Sequence, residues 1–571
     1  MEYTIYKIKK DIIDLVVKAV EQEIDAQQLE VTVPPSAEMG DLAVPCFYLT
    51  KLLRISPNQV AHELKEKIHA GGIVKSVQNV GPYLNFFLDY KMVSKKVLKE
   101  IDKMGATYGS VKLSKTEKKK VMIEYSSPNT HKEFHVGHLR NVALGSVLVN
   151  LWRYAGHQVI ATNYVGDIGS HVAKCLWALE KFHQDEQYPE NKGKYLGKIY
   201  TEAVNEIDAN PEFKKEADEV LQKLEHGDKK WLALWKETRQ WSLDEFDRIY
   251  KILDIKFDKV YSISKMEKPG KKIVEELLQK GIAEKSEGAT VINLEKYNLK
   301  YFLLLKSDGS SLYATSDLAL AQAKFKKYNL DESIVLVDTR QSFYFEQLFQ
   351  TLKVMGFDKP MVHVPYEFVT LKEGAMSSRA GNVVLFDDFF VQVKSQAMQE
   401  TKKRHDDWSE KKTEETAEKI ALSAIKFQML KTGNNNVIVF DIDEALSFDG
   451  TSGPYLQYTV SRINSILNKE KPGVFKEINY NKLNTDLEKE MISKLASFPE
   501  SVAIATSDFQ PSHLTQYLFE LAKLFSSFYQ SIPILSSEAE VKNARLALIV
   551  AVRQVLTNGL TLLGIETLDQ M

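Results

Sequence analysis

The apolar positions of the first hundred residues indicate helices and a short extended segment. Near the N-terminus they recur at the spacing of one helix face: Ile5, Ile8, Ile12, Leu15, Val16 and Ala19. A proline-containing loop, "VPPSAEMGDLAVP", precedes a second helical pattern and the extended "GPYLNFFLD" at 81–89. The charged link "SKTEKKK" at 114–120 follows. We therefore predict an N-terminal α+β domain over residues 1–113.

From residue 121 the pattern changes to short apolar strands that alternate with helices. The predicted strands are "VMIEY" (121–125), "QVIATNYV" (158–165), "KYFLLLKSDG" (300–309), "SIVLVD" (333–338) and "PMVHVPYEF" (360–368). The predicted helices include one ending near Gly156, "TSDLALAQAKFKKY" (315–328) and one that runs to Met355. This alternation is typical of a doubly wound parallel sheet. It predicts an α/β domain over residues 114–390.

Two further stretches are predicted to be helical. A lysine-rich stretch at about 180–260 interrupts the α/β pattern, and its tryptophans are Trp231, Trp235 and Trp241. Their helical spacing favours packing over stacking on RNA bases. After about residue 390 the strands largely stop, apart from a short "NVIVFDID" at 436–443. The pattern predicts connecting helices over 391–445 and an all-α domain over 446–571.

Composition narrows the class of protein. Of 571 residues, 44% are hydrophobic and 27% are charged, which is the balance of a globular protein. The net charge of −2 argues against indiscriminate coating of nucleic acid, although 75 Lys and Arg residues can form local basic patches. No apolar run approaches roughly 18 residues, no signal cleavage site is apparent, and there are two distant cysteines. We expect a cytoplasmic protein that does not contact a membrane.

The segment "SSPNTHKEFHVGHLRN" at 126–141 places three histidines within eight positions. A zinc site is one interpretation, but the zincin pattern needs histidines at i and i+4 with an intervening Glu, whereas His135 and His138 are three apart. Helix-core packing is a second, but Gly137 is a poor residue for a helix interior. A third interpretation is nucleotide binding. It follows from the position of the histidines in the chain, because the preceding "VMIEY" resembles the first strand of a nucleotide-binding sheet. Gly137 would then allow a phosphate or adenine to approach a helix N-terminus.

The motif "HVGH" at 135–138 resembles the HIGH motif of class I aminoacyl-tRNA synthetases, and its surroundings resemble the arginyl-tRNA synthetase family. The resemblance extends along nearly the whole chain. "GPYLNFF" resembles the family's N-terminal additional domain, while "NYVGDIGSH", "YATSDLALA" and "MSSRAGNVV" resemble segments of its catalytic domain. "FDGTSGPYLQYTVSRINSI" and the C-terminal "NARLALIVAVRQVLTNGLTLLGIETLDQM" resemble its anticodon-binding domain. The implied architecture is a Rossmann-type catalytic domain between two RNA-binding domains.

The resemblance implies a two-step reaction in which arginine attacks the α-phosphate of ATP and a ribose hydroxyl of tRNA(Arg) then takes the arginyl group. The attacking α-carboxylate has a pKa of roughly 3.5 and is ionised at pH 7, so activation needs no general base. It needs positioning and positive charge near the phosphates. By resemblance, ATP is contacted by His135, Gly137, His138, Gly166, Asp167, Gly169, Met376, Ser377 and Ser378. For the "GDIG" turn at 166–169, an ordinary tight turn is an equal alternative.

One signature departs from the family pattern. The family's KMSKS loop supplies lysines to the triphosphate, but the matching "AMSSRAGN" at 375–382 contains no lysine. Two residues could compensate, Arg379 within the loop and Lys132 upstream of "HVGH". We expect Lys132 to be the principal cation, and a solvated surface lysine is the alternative. His135 and His138 complete the predicted catalytic set.

The resemblance also implies a pocket for arginine. Tyr313 and Asp317 are four apart and would share a helix face, although Asp317 could instead be a helix-start residue. A carboxylate can match the planar guanidinium in a fixed fork. The other predicted pocket residues are Glu124, Ser127, Pro128, Asn129, His138 and Gln341.

For tRNA, the resemblance implies contacts by Tyr83 and Asn85 with the D-loop. It implies contacts by Tyr458, Arg462, Tyr529 and Met571 with the anticodon loop. Each could instead be a packing residue. Mg²⁺ would accompany ATP without a dedicated protein site, and the resemblance favours a monomer. Two other functions stay open, another ligase or nucleotidyltransferase with a HIGH-type phosphate site and an inactive relative that binds tRNA.

Overall fold

A computed structural model describes residues 3–184, 186–372, 384–470 and 478–571. The N-terminal part contains four helices, α1 (Thr4–Val20), α2 (Phe47–Leu53), α3 (Pro57–Lys67) and α4 (Tyr90–Met104). They surround an antiparallel sheet of β1 (Leu42–Pro45), β2 (Val74–Val80) and β3 (Tyr83–Leu88) in the order β1-β3-β2. The predicted apolar face of α1 is confirmed, since Ile8, Ile12 and Val16 are fully buried.

The central part has nine strands and eight helices within residues 114–372. The strands are β4 (Lys120–Glu124), β5 (Gln158–Val165), β6 (Lys259–Ser262), β7 (Glu284–Ser286), β8 (Ala289–Asn293), β9 (Tyr301–Leu305), β10 (Glu332–Asp338), β11 (Met361–Tyr366) and β12 (Val369–Leu371). The helices are α5 (Val136–Tyr154), α6 (Ser170–Phe182), α7 (Lys192–Ala209), α8 (Glu212–Glu225), α9 (Lys229–Ile252), α10 (Ile263–Gln279), α11 (Tyr313–Tyr328) and α12 (Ser342–Val354).

Five of these strands form the predicted parallel sheet, in the order β11-β10-β4-β5-β6. The chain leaves β4 toward β5 and β6, and later returns on the other side of β4 as β10. The first turns after β4 and β10 therefore diverge, which opens a crevice at the carboxyl ends of these two strands. The sheet and its helical insertion confirm the predicted fold class.

One predicted strand lies elsewhere. We expected "KYFLLLKSDG" to join the parallel sheet, but β9 pairs antiparallel with β8, and β8 with β7, in a separate three-stranded sheet. The physical reason is a two-residue turn between β7 and β8, where Glu287 and Gly288 both have positive φ. Such turns favour antiparallel hairpins. This hairpin then offers β9 an antiparallel partner.

The tryptophans of the helical insertion pack as predicted. Trp241 is buried in a cluster formed by α6 to α9, and Trp231 and Trp235 pack against it. Trp235 also donates a hydrogen bond from Nε1 to the carbonyl oxygen of Asp167, at 2.7 Å. The insertion is therefore fixed to the turn that follows β5.

The rest of the chain is almost entirely helical. Its elements are α13 (Phe386–Arg404), α14 (Glu410–Leu430), β13 (Ile438–Phe440), α15 (Ile442–Leu446), α16 (Gly453–Leu467), α17 (Asp486–Ala496), α18 (Phe498–Ser507), α19 (Pro511–Ser531) and α20 (Ala539–Leu562). Among the described residues of this part, β13 is the one strand, and it pairs with β12 in parallel. It corresponds to the predicted extended "NVIVFDID".

The last helix, α20, also contacts the N-terminal part of the chain. The side-chain amide of Asn558 donates hydrogen bonds to the carbonyl oxygens of Gly105, at 3.0 Å, and Tyr108, at 3.2 Å. By length and composition α20 is one helix that could cross a membrane, contrary to our expectation of no such segment, but 61% of its apolar window is buried inside the protein. A buried core helix meets the same criteria.

Candidate active site

The crevice between β4 and β10 is bordered by the loop 125–135, which joins β4 to α5. Three non-glycine residues of this loop have positive φ: Ser126 (75°), Ser127 (45°) and His131 (62°). This conformation is uncommon outside glycine and costs free energy, so neighbouring contacts must hold it. The backbone N–H of Ser127 donates to Oδ1 of Asn163 on β5, at 3.1 Å. The Ser126 and Tyr250 hydroxyls are 2.7 Å apart.

His131 belongs to the core of this loop. It is fully buried, its Nε2 is 2.8 Å from the Thr238 hydroxyl, and its Nδ1 is 3.0 Å from the Thr130 hydroxyl. Burial lowers its pKa to about 3, so the ring is neutral at pH 7. Because both ring nitrogens already have partners, His131 is a structural residue that joins the loop to the helical insertion.

His135 and His138 begin helix α5 with their rings 3.8 Å apart. Nδ1 of His138 accepts the backbone N–H of His135, at 3.1 Å. A neutral His138 must therefore carry its proton on Nε2, which makes this atom a donor. Burial lowers the pKa of His135 to about 4 and that of His138 well below its usual value. Both histidines can thus donate hydrogen bonds to phosphate oxygens but bring no positive charge.

Gly137 is required by the position of the His135 ring. A Cβ atom at residue 137 would lie 2.9 Å from Cε1 of His135, closer than ordinary contacts. The first turn of α5 would also lose its exposed N–H surface, which favours anions. This geometry agrees with the predicted phosphate-binding role of the motif.

Lys132 lies next to these histidines. Its positive charge is near enough to lower the pKa of His135, His138 and His171, in each case after the effect of burial. Its ammonium group lies 4.9 Å from the centre of the Tyr200 ring on α7. Lys132 is therefore a cation at the N-terminus of α5.

The "GDIG" turn after β5 is held firmly in place. The carbonyl oxygen of Gly166 accepts the backbone N–H of Thr130, at 2.9 Å. The fully buried carboxylate of Asp167 accepts hydrogen bonds from Nε of Arg239, at 2.7 Å, and from Ser264. Gly169 has a φ of 129° and precedes α6. Because the Asp167 carboxylate is already bonded, the tight-turn interpretation fits this segment, and an ATP contact by Gly166, Asp167 or Gly169 stays a prediction.

The predicted arginine pocket contains one carboxylate oxygen without a partner. Asp317 lies on α11, and its Oδ2 accepts the hydroxyl of Tyr344, at 2.5 Å. Its Oδ1 is buried and has no hydrogen-bond partner among the described residues. The pKa of Asp317 is raised to about 7: burial raises it most, the Tyr344 hydrogen bond lowers it, the nearby Glu124 raises it, and Lys324 and Tyr164 have smaller lowering effects. Tyr313, four residues before Asp317, is 56% exposed at the mouth of the pocket.

Glu124, at the end of β4, forms an ion pair with Lys324, and both side chains are almost fully buried. Lys324 lies on α11, seven residues after Asp317, and thus on the same helix face. We did not predict Lys324 or Tyr344. The signal for Lys324 was a cation within the apolar run "LALAQAK". Tyr344 had no local signal, because its partner lies on another element.

The other predicted pocket residues lie around the crevice. The carbonyl oxygen of Pro128 accepts the backbone N–H of Gly166, at 3.0 Å, and Asn129 forms a β-bridge with Gly166. Ser127 belongs to the strained loop described above. Gln341 is exposed and follows β10 directly before α12. Ser127, Asn129 and Gln341 thus lie near the carboxyl ends of the central strands, and their contact with arginine stays a prediction.

Four predicted site residues lie outside the described residues: Met376, Ser377, Ser378 and Arg379. The chain that follows them is placed beside the histidine motif. The carbonyl oxygen of Val384 accepts the backbone N–H of Val136, at 3.0 Å, and Leu385 forms a β-bridge with His135. In the part of the chain that is described, no group of three or more His, Cys, Asp or Glu residues could hold a metal ion.

Three family models match this chain. The catalytic domain of class I tRNA synthetases (R) matches residues 101–442, the DALR anticodon-binding domain matches 456–571, and the arginyl-tRNA synthetase N-terminal domain matches 6–88. The chain is 38% identical to the arginine–tRNA ligase of Clostridium beijerinckii over 568 residues, which is 99% of this chain and 100% of that protein. It is 38% identical to that of Bdellovibrio bacteriovorus, over 94% of this chain and 93% of that protein.

The chain belongs to the arginyl-tRNA synthetase family. Its fold is similar to that of the arginyl-tRNA synthetase of Thermus thermophilus, with a TM-score of 0.83 at 27% identity over 98% of this chain and 100% of that one. The Plasmodium falciparum enzyme has a TM-score of 0.81 at 22% identity over the full length of both chains. The family match spans all three parts of the fold.

The predicted RNA contacts of this arginyl-tRNA synthetase chain lie on two surfaces. On β3, Tyr83 is 38% exposed and meets the exposed Phe47 edge to face, with ring centres 5.9 Å apart. Asn85 lies two residues further on the same face of β3, but it is buried, with 3% of its surface exposed. The exposed aromatic pair is thus available for stacking, whereas Asn85 is buried.

In the C-terminal bundle three predicted residues form one cluster. The Arg462 guanidinium on α16 lies 4.5 Å from the centre of the Tyr458 ring and 5.4 Å from that of Tyr529 on α19. Arg462 also donates a hydrogen bond to the Tyr458 hydroxyl, at 2.6 Å. Met571 packs against the core at the end of a tail that hydrogen-bonds α16 through Ser461. The cluster joins an exposed aromatic residue and a cation, the groups that unpaired bases favour.

Proposed function

We propose that this protein joins L-arginine to tRNA(Arg) with ATP, through an arginyl-adenylate and with release of AMP and pyrophosphate. The observation that carries the proposal is the buried Oδ1 of Asp317, which has no hydrogen-bond partner among the described residues and lies near Glu124 and Tyr164 on β4 and β5. A buried carboxylate oxygen without a partner favours a ligand that can supply a cation and a donor. The guanidinium of arginine supplies both. The identity to arginine–tRNA ligases supports this substrate.

Activation depends on positioning and charge. The arginine carboxylate attacks the α-phosphorus of ATP, and pyrophosphate leaves with the bonding electron pair. His135 and His138 donate hydrogen bonds to phosphate oxygens as neutral rings, as their low pKa values require. Lys132 supplies positive charge near the leaving group, and Arg379 would add a second positive charge from the KMSKS-like loop. Met376, Ser377 and Ser378 of that loop would contact ATP as neutral groups. Mg²⁺ would accompany the ATP phosphates as solvent-bound metal.

Arginine would lie with its guanidinium on Asp317 and its backbone end near Ser127, Asn129 and His138, with Tyr313 and Gln341 at the entrance. Glu124 takes part through its ion pair with Lys324. With Asp317 and Glu124 ionised, the three charged groups carry a net charge of −1, which matches one guanidinium. The net charge of the pocket thus favours a ligand side chain with one positive charge.

Transfer then requires tRNA at three places. A hydroxyl of the terminal ribose attacks the arginyl carbonyl carbon, AMP leaves with the bonding electron pair, and the hydroxyl proton passes to the AMP phosphate or to water. Tyr83 and Asn85 would contact the D-loop, and Tyr458, Arg462, Tyr529 and Met571 the anticodon loop. The corresponding domain assignment is 1–113 for D-loop binding, 114–390 for catalysis, 391–445 for connection and 446–571 for the anticodon. We expect a monomer that acts in the cytoplasm.

The test is exchange of pyrophosphate into ATP, with and without tRNA(Arg), using arginine, lysine or glutamate as the amino acid. Exchange that requires arginine and is absent with the other two supports the proposal. Exchange with another amino acid would assign a different substrate. Tight tRNA binding without exchange under any condition would indicate an inactive tRNA-binding relative, whose activation was lost with the loop lysine.

Lys132→Ala tests the principal cation separately. We expect turnover in pyrophosphate exchange to fall by roughly 100-fold or more, because the phosphates lose a charge in a partly buried site. The KM for arginine should change little, because Lys132 lies at the phosphate side. Near-normal turnover would remove Lys132 from this role without affecting the assignment of the substrate.

A further inference from the structure

Helix α7 of the insertion packs unusually close to the loop that carries Lys132. A Cβ atom at Gly197 would lie 1.9 Å from Cγ of Glu133, the neighbour of Lys132. A Cβ atom at Gly193, one turn earlier, would lie 2.3 Å from Cβ of Glu245 on α9. Since any larger residue at these positions requires a shift, the two glycines allow the α7 backbone to lie against both the loop and α9.

This close approach brings Tyr200 to the active site. Tyr200 follows Gly197 by three residues and therefore lies on the same face of α7. Its ring centre is 4.9 Å from the Lys132 ammonium, within the range of a cation–π contact. Tyr200 also raises the pKa of Tyr313 slightly, behind burial and Asp317. The ring is thus in contact with Lys132 and near Tyr313 at the mouth of the arginine pocket.

If Lys132 acts on the phosphates of ATP, the side chain that holds its ammonium group must leave its positive charge available. In the described ranges, no carboxylate forms an ion pair with Lys132. A carboxylate would orient the ammonium but would also cancel its charge. The face of an aromatic ring attracts the ammonium through its quadrupole and leaves the net charge unchanged. The ring can therefore restrict the many rotamers of lysine without removing the charge.

We propose that Tyr200 is a positioning residue, whose ring face holds the Lys132 ammonium toward the phosphates of ATP. The helical insertion is then a part of the activating site as well as a packed support. This inference rests on the role proposed for Lys132. It adds a residue that no local sequence pattern selects, because the contact joins elements that are 68 residues apart along the chain.

The test compares Tyr200→Leu with Tyr200→Phe in pyrophosphate exchange, at saturating arginine and tRNA(Arg). A cation–π contact of this kind predicts a loss of roughly 3- to 30-fold in turnover for Tyr200→Leu. Tyr200→Phe keeps the ring and should stay within about 2-fold of the wild type, because no hydrogen bond of the Tyr200 hydroxyl is needed. The KM for arginine should be unchanged in both. Equal losses in the two variants would overturn the ring-face mechanism.

Two further variants distinguish positioning of Lys132 from a general disturbance of α7 and from an independent role of Tyr200. Tyr195→Leu removes a half-buried tyrosine from the same helix, one that bonds Glu186 instead of facing Lys132, and should leave turnover near normal. In a Lys132→Ala background, Tyr200→Leu should cause no additional loss, because the positioned group is gone. A further loss in that background would show that Tyr200 acts independently and would overturn the proposal. Near-normal turnover of Lys132→Ala itself would instead refute the role of Lys132.

Discussion

At the scale of single residues, the sequence could not show which titratable side chains of the site carry an unpaired charge and which are neutral or already paired. The histidines of "HVGH" are neutral donors because burial lowers their pKa values, so we expect the positive charge to come from Lys132 and from Arg379 of the KMSKS-like loop. The two carboxylates of the site also differ, in whether a partner is present. Glu124 is neutralised by Lys324, whereas one oxygen of Asp317 is free. The motifs predicted which residues line the site. The ion-pair and hydrogen-bond partners of those residues could not be predicted, because they come from elements distant in the sequence.

Asp317→Asn should weaken the use of arginine specifically. The substitution removes the charge that faces the guanidinium and leaves one buried cation without compensation. We expect kcat/KM for arginine to fall by roughly 30- to 1,000-fold, the range found when one member of a buried charge pair is removed. The KM for ATP is the internal control and should change less than about 2-fold. An unchanged kcat/KM for arginine would refute the pocket assignment.

The raised pKa of Asp317 predicts how arginine binding depends on pH. Burial keeps this pKa at about 7 in the free protein, and arginine binds the ionised form. As pH falls below 7, a proton competes with arginine, so the KM for arginine should rise about tenfold per pH unit. The neutral histidines do not titrate in this range. The profile should become flat in Asp317→Asn, and a flat profile in the wild-type protein would contradict the prediction.

At the scale of elements, strands with continuous apolar runs were predictable and more polar strands were not. β4, β5, β10 and β11 were found because buried parallel strands appear as continuous apolar runs. β6, β7 and β8 contain no more than two apolar residues in a row and were missed. β9 was assigned to the wrong sheet, since an apolar run does not reveal its pairing partner. The predicted histidine turn was correct because a strand, a turn and a helix start follow each other along the chain.

The Asp167 carboxylate should stabilise the junction between the sheet and the insertion. It is fully buried and joins Arg239 on α9 to Ser264 on α10. Asp167→Ala should cost about 3 kcal/mol or more, because a partly buried arginine is left without its partner. Urea unfolding measures this as a lower midpoint. Asp486→Ala, whose side chain is 97% exposed in its ion pair with Lys489, is the matched control and should unfold near the wild-type midpoint.

At the scale of the whole molecule, the catalytic crevice and the two predicted RNA surfaces lie on three different parts of the fold. The aromatic pair Phe47 and Tyr83 is on the N-terminal sheet, and the cluster of Tyr458, Arg462 and Tyr529 is on the C-terminal bundle. The three family models match the same three parts. A tRNA that contacts all three would be held along the length of the protein, so substitutions on the distant surfaces should affect tRNA and not arginine.

Arg462→Ala tests the C-terminal surface. Loss of the guanidinium beside two tyrosine rings should raise the KM for tRNA(Arg) by roughly 10-fold, the effect expected for one base contact. The KM for arginine, measured in the same aminoacylation assay, should stay constant. Arg553→Ala, which removes an arginine bonded to Asn464 in the same bundle, is the control. Equal effects of both substitutions on tRNA would indicate a general disturbance of the bundle.

The contact between Asn558 and the carbonyl groups of Gly105 and Tyr108 has a consequence for how this chain folds while the ribosome synthesises it. These partners are 453 and 450 residues apart, so the ribosome makes one of them long before the other. At about 5 to 20 residues per second, the N-terminal part waits roughly 20 to 90 seconds for the helix that covers part of its surface. A message with an early stop codon before residue 539 would release a chain whose first domain never receives this helix. The N-terminal domain therefore receives its contacts with α20 only after nearly the whole chain has been translated.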